Sequence, residues 1–227
     1  PAALELVART ETALRAAEVP ADDIAWGRIA LARCHVIARL GRHEQATGPL
    51  VDLARLAKLE GWTDLEFEAR LARLELGLAL EESEALSHAL RLREDLGGRG
   101  RPDQRTRLLT LLGELYAARG QLDNAFAAAS ELVGLTAEAD ELEAAAAWSL
   151  LGRLCLAKND LDEATGLLSH AVRVYREHPG SALPLAQTLT ALGQVEAERG
   201  SLGRAQQALT EAVRLYRRTG SGEEGVA

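Results

Sequence analysis

The side chains that most often carry chemistry are thinly and irregularly spread along this chain. Five histidines, His35, His43, His88, His170 and His178, fall at scattered helical phases, and none has a Cys or Glu at ligand spacing. The eight-residue gaps from His35 to His43 and from His170 to His178 slightly overshoot two helical turns, a poor spacing for shared ligation. Both cysteines, Cys34 and Cys155, sit inside apolar helical stretches and read as buried, reduced thiols. "GGRGRPD" (97–103) lacks the Lys-Ser/Thr pair of a phosphate loop, and no Gly-x-Ser-x-Gly elbow is present. The acid pairs Asp22-Asp23 and Glu81-Glu82 open helices, where the dipole favours them without acid–base chemistry. The expectation is a chain with no catalytic residue, no metal and no cofactor.

What remains for recognition is charge and shape, so the elements that position side chains come next. Hydrophobic residues make up 47% of the 227 and aromatics only 4%, with six prolines, which points to an all-α protein cored by Leu, Ala and Val. The net charge of −8 argues against a nucleic-acid partner. Arg supplies nearly all the positive charge, Lys occurring only at 58 and 158, a composition that suits a GC-rich bacterial genome. No apolar run reaches the length of a membrane span, so a cytoplasmic protein without membrane contact is expected. The chain starts at Pro1 and has no Met, which suggests a segment of a larger polypeptide.

A repeat organises the chain. Ala46, Ala85, Ala125, Ala164 and Ala205 follow one another at intervals of 39, 40, 39 and 41 residues. Twelve positions before four of them stand the small residues Cys34, Gly113, Gly152 and Gly193. Five positions before the same four stand the turn residues Gly41, Gly120, Asn159 and Gly200. A second small residue follows at Ala171 and Ala212. Gly or Asn admits the left-handed conformation that ends a helix, Asp160 with Glu163 fits a capping box, and small residues beside the turn let two antiparallel helices close up. Between Leu71 and Ala85 the turn Gly is missing, and "LALEESEAL" is expected to turn more tightly.

Three segments resemble the tetratricopeptide repeat: Leu112-Gly113, Tyr116, Gly120, Leu122 and Ala125; Trp148, Leu151-Gly152, Leu161, Ala164 and Ala171; and Leu192-Gly193, Gly200, Leu202, Ala205 and Ala212. A period near 40, longer than the usual 34, is similar to the repeats of maltose-regulator-type bacterial transcription activators and related signalling proteins. The resemblance implies a right-handed α-solenoid of about 11 helices. Residues 1–219 would form it: a remnant helix at 1–18 and repeats at 22–59, 62–96, 102–136, 138–177 and 181–219. Residues 97–102 are a candidate hinge, and 220–227 read as a flexible tail.

The resemblance further implies that first helices line a concave groove. It would present Arg28, Leu31, His35 and Arg39; Arg107, Thr110 and Glu114; Ser149, Arg153 and Leu156; and Gln187, Thr190, Gln194 and Glu198. Arrays of this family that clamp a C-terminal carboxylate carry Lys and Asn where this chain has Thr110, Ser149 and Thr190, then Glu114, Arg153 and Gln194. That function is not expected. The expectation is instead a non-catalytic scaffold binding a peptide, helix or folded partner, with a mild preference for an acidic segment through its arginines. Apolar end helices make self-association a further expectation. The alternative is a ligand- or partner-sensing domain of a bacterial transcription regulator or signalling ATPase.

Overall fold

The computed structural model describes residues 2–97, 100–136 and 141–221. Among these it places eleven helices and no strand: α1 (Ala2–Ala16), α2 (Ile24–Arg39), α3 (His43–Leu59), α4 (Thr63–Ala79), α5 (Ala85–Leu96), α6 (Pro102–Ala118), α7 (Leu122–Thr136), α8 (Glu141–Ala157), α9 (Leu161–Glu177), α10 (Ala182–Glu198) and α11 (Leu202–Ser221). The chain divides into two compact units, Pro1–Arg99 and Gly100–Ala227. That division falls in the candidate hinge 97–102, of which residues 98 and 99 lie outside the described residues. So do Pro1 of the remnant helix, the expected start of α8 at 138–140, and 222–227 of the tail.

The helices end as the repeat demands. Gly41, Gly61, Gly120, Asn159 and Gly200 all adopt positive φ, between 62° and 78°. Next to each, a backbone N–H reaches back five residues: Arg42 to Ile37 O, Trp62 to Ala57 O, Gln121 to Tyr116 O, Asp160 to Cys155 O and Ser201 to Glu196 O. This is the six-to-one bond of a Schellman cap, which satisfies a carbonyl the helix would otherwise leave open. Asp160 then accepts from the Glu163 N–H at 3.4 Å and caps α9, while Asp23 accepts from the Ala25 N–H at 2.8 Å and caps α2.

The α4–α5 turn corrects the expectation of a tighter connection. It spans residues 80–84, longer than the three-residue turns 40–42, 119–121, 158–160 and 199–201. Glu81 takes the left-handed place at φ 53°, and the Glu82 N–H reaches Gly77 O at 2.8 Å, so the same cap forms without glycine. The bond from the Ala85 N–H to Glu82 O then adds one more turn before α5 begins.

Small residues set the packing. The anchors Ala46, Ala85, Ala125, Ala164 and Ala205 are all buried, as are Ala171 and Ala212. A Cβ on Gly113 would stand 2.6 Å from Leu150 Cδ2, on Gly152 2.6 Å from Leu168 Cγ, and on Gly193 2.7 Å from Leu209 Cγ. Each glycine therefore seats a leucine of a neighbouring helix against its backbone. Trp148 meets His170 edge-on, ring centroids 4.1 Å apart, which gives that histidine a packing role.

Candidate functional site

Within the second unit each first helix packs on its own second helix, and first helices also pack on one another, α6 on α8 and α8 on α10. Among the described residues the second helices α7, α9 and α11 make no comparable seam with each other. The three first helices thus form one wall. Within the first unit α2 and α4 meet in the same way.

The wall has side chains of two kinds. Some lock adjacent repeats together. Glu114 of α6 and Arg153 of α8, at matching repeat positions, form a half-buried ion pair at 2.6 Å. Arg153 Nε is buried with no hydrogen-bond partner, so the guanidinium is held by one nitrogen. Tyr175 of α9 lies in the field of this pair. Burial pushes its phenol up to about 12, with Arg153 pulling the other way and Glu114 adding slightly. Four residues before Arg153, the buried Ser149 meets Thr188 of α10 at 2.8 Å. Thr188 gives its one proton to Pro184 O at 2.8 Å, so the Ser149 hydroxyl is the donor between them.

The other kind faces outward. Arg107, Gln187, Gln194 and Glu198 are exposed along the second unit's wall, and Arg28 and Arg39 along α2. His35 is half-buried, and neither it, Arg39 nor Arg107 lacks a polar partner. Thr110 and Thr190 are half-buried and donate to the carbonyls of Thr106 and Ala186, one helical turn back. Their oxygens keep lone pairs able to accept a further hydrogen bond. Among the second unit's expected groove residues the two arginines, Arg107 and Arg153, are matched in number by the two glutamates, Glu114 and Glu198. A cationic bias is confined to α2.

Two grooves escaped the sequence reading because they lie between second helices, whose outward positions no repeat motif marks. One, of about 1030 Å³, runs between α9 and α11 over α10. Its lining includes the buried Glu196, whose Oε1 stands 3.9 Å from Arg204. The other, of about 410 Å³, runs between α3 and α5 over α4 and carries Arg55, Lys58, Arg70, Arg73 and Arg91. Its periodic signal was present in the sequence: Val51, Ala54 and Lys58, then His88, Arg91 and Asp95, fall at three-to-four-residue spacing.

Among the described residues no group of His, Cys, Asp and Glu is arranged to hold a metal, and no helix is long and apolar enough to cross a membrane. Cys34 and Cys155 are buried, which raises both thiol pKa values and disfavours the thiolate.

Residues 143–218 match the tetratricopeptide repeat family model. No curated protein matches the sequence. Among solved structures the chain resembles BtubC (BKLC) from P. vanneervenii, with a TM-score of 0.63 at 16% identity, over 100% of this chain and 91% of that one. It also resembles a Podosopora anserina protein of kinesin light chain type with nearly identical TPR-like repeats. There the TM-score is 0.59 at 17% identity, over 85% of this chain and 95% of that one. At such identities the likeness speaks for the fold alone. The matched segment, the buried small residues and the recurrent caps together identify residues 143–218 as tetratricopeptide repeats, within a chain folded as a TPR-like all-α solenoid.

Proposed function

We propose that this chain is a non-catalytic scaffold that holds a peptide, helix or folded partner against the wall of its first helices. Tetratricopeptide repeats generally serve protein–protein interaction. The observation that carries the reading is the division of labour on the wall. Glu114, Arg153 and Ser149 bind the repeats to each other, while Arg107, Gln187, Gln194 and Glu198 are exposed in a row of helices built to stay in place. A rigid support with exposed polar side chains suits recognition, because little ordering entropy is lost on binding. A preference for acidic partners rests on Arg28 and Arg39 of α2, since the second unit's wall is balanced.

The division also chooses the experiment. Substituting Arg153 or Ser149 would loosen the array and confuse stability with binding. Arg107→Glu combined with Gln194→Arg changes only exposed positions. The partner is recovered with the wild-type chain, identified, and its Kd measured directly. The double variant should fold as wild type and bind about ten-fold more weakly or worse, a loss of about 1.4 kcal/mol. An unchanged Kd for this variant and for Arg28→Glu/Arg39→Glu would overturn the proposal.

A further inference from the structure

We infer that the groove between α3 and α5 is a second docking site, one that takes an acidic, leucine-bearing segment of a partner protein. The inference rests on the scaffold reading but uses the opposite side of the helix pairs. The chain as a whole is acidic, at −8, yet this groove is lined by five cationic side chains against two carboxylates, Glu66 and Asp95. Local charge so opposed to the global balance is what electrostatic complementarity to an acidic partner requires.

The ion pairs show which of these charges are available. Arg70 is held by Asp95 at 2.6 Å and by Glu66 at 3.4 Å, and Arg73 by Glu82 at 2.7 Å. Arg55 touches Asp52 at 3.5 Å, both side chains exposed, a contact worth little in water. Lys58 and Arg91 are exposed on the two rims and have no acidic partner among the described residues. The consecutive helices alternate in direction, so α3 and α5 run parallel. Lys58, in the last turn of α3, and Arg91, midway along α5, stand on opposite rims of one groove.

Between the rims the surface is aliphatic. Buried Leu50 and Leu74 face the groove together with Ala54, and Val51 is exposed beside them. Cations around an aliphatic floor fit carboxylates that flank a branched aliphatic side chain. A single-stranded nucleic acid is a poorer match, because no Phe, Tyr or Trp lines the groove for bases to stack on, His88 being its one ring. At about 410 Å³ the groove has the size of a site for a short segment.

The test is fluorescence anisotropy on the full chain with a labelled Glu/Asp-rich peptide containing two leucines. Its Gln/Asn counterpart and a labelled oligothymidylate are measured alongside. The acidic peptide should bind more tightly than either and lose affinity as salt rises. Lys58→Glu/Arg91→Glu should weaken it by about ten-fold or more, and Lys58→Gln/Arg91→Gln by an intermediate factor. Both double variants should keep the wild-type circular dichroism spectrum, since the substituted side chains are exposed. Arg107→Glu/Gln194→Arg should bind the peptide as wild type does. Equal binding of the Gln/Asn peptide, tighter binding of the oligonucleotide, or an unchanged Kd in both lysine–arginine double variants would overturn the inference. A loss confined to Arg107→Glu/Gln194→Arg would overturn it while leaving the first-helix wall in place as the docking surface.

Discussion

At the scale of the residue, the polar contacts that join repeats are individually modest, which makes each measurable. Ser149→Ala removes the proton donated to Thr188, which keeps its own bond to Pro184 O. The expected cost is about 1 kcal/mol, read by denaturant unfolding. The glycines divide by what they touch. Gly152→Ala drives a Cβ against Leu168, whose backbone nitrogen is also only 3.3 Å away, and should cost about 1–3 kcal/mol. Gly166→Ala, exposed in α9 with nothing within 4 Å, should instead be neutral or stabilising by up to about 1 kcal/mol. If the two variants shifted stability alike, close packing at Gly152 would be refuted. Tyr175 gives a pH signature. Its folded pKa is raised to about 12 by burial, above the ordinary value of 10, so the folded state holds that proton more tightly. Stability is then fully present below pH about 10 and lost as pH climbs toward 12. Tyr175→Phe should flatten that alkaline loss, and ultraviolet titration should show one tyrosine ionising late.

At the scale of the element, helix ends were more legible than helix partners. Gly41, Gly120, Asn159 and Gly200 announce left-handed caps because few residues tolerate that conformation. The Ala anchors announce close packing because their spacing is shared. Glu81 was invisible for the converse reason: a glutamate carries no sign that it will stand at φ 53°. It is held there by the cap around it, at a conformational cost. Glu81→Gly should therefore raise stability by about 0.5–1 kcal/mol and lift the thermal midpoint, even though it removes a side chain. A lowered midpoint would mean that the side chain does more than occupy the turn. Ser149 shows another limit. The repeat resemblance put it among the expected groove residues of a first helix but could not reveal that Thr188 would cover it. Periodicity likewise did not distinguish Glu114 and Arg153, which face each other, from Arg107 and Gln194, which face out. The grooves between second helices were harder still, since repeat motifs mark only the positions that pack.

At the scale of the whole molecule, the account treats the array as a frame whose repeat residues hold and whose remaining side chains recognise. The repeat residues Gly113, Gly120, Gly152, Gly193 and Gly200, with the buried alanines, explain why the helices stand where they do. They are silent on whom the protein binds. We propose that recognition falls to the exposed face of α6, α8 and α10, and in the first unit to that of α2. The most direct test is hydrogen–deuterium exchange of the chain with and without its captured partner. The account predicts slowed exchange along the first helices, strongest in peptides containing Arg107, Gln187 and Gln194, with α7, α9 and α11 unchanged. Protection confined to α7, α9 and α11, with the first helices exchanging as in the free chain, would contradict it.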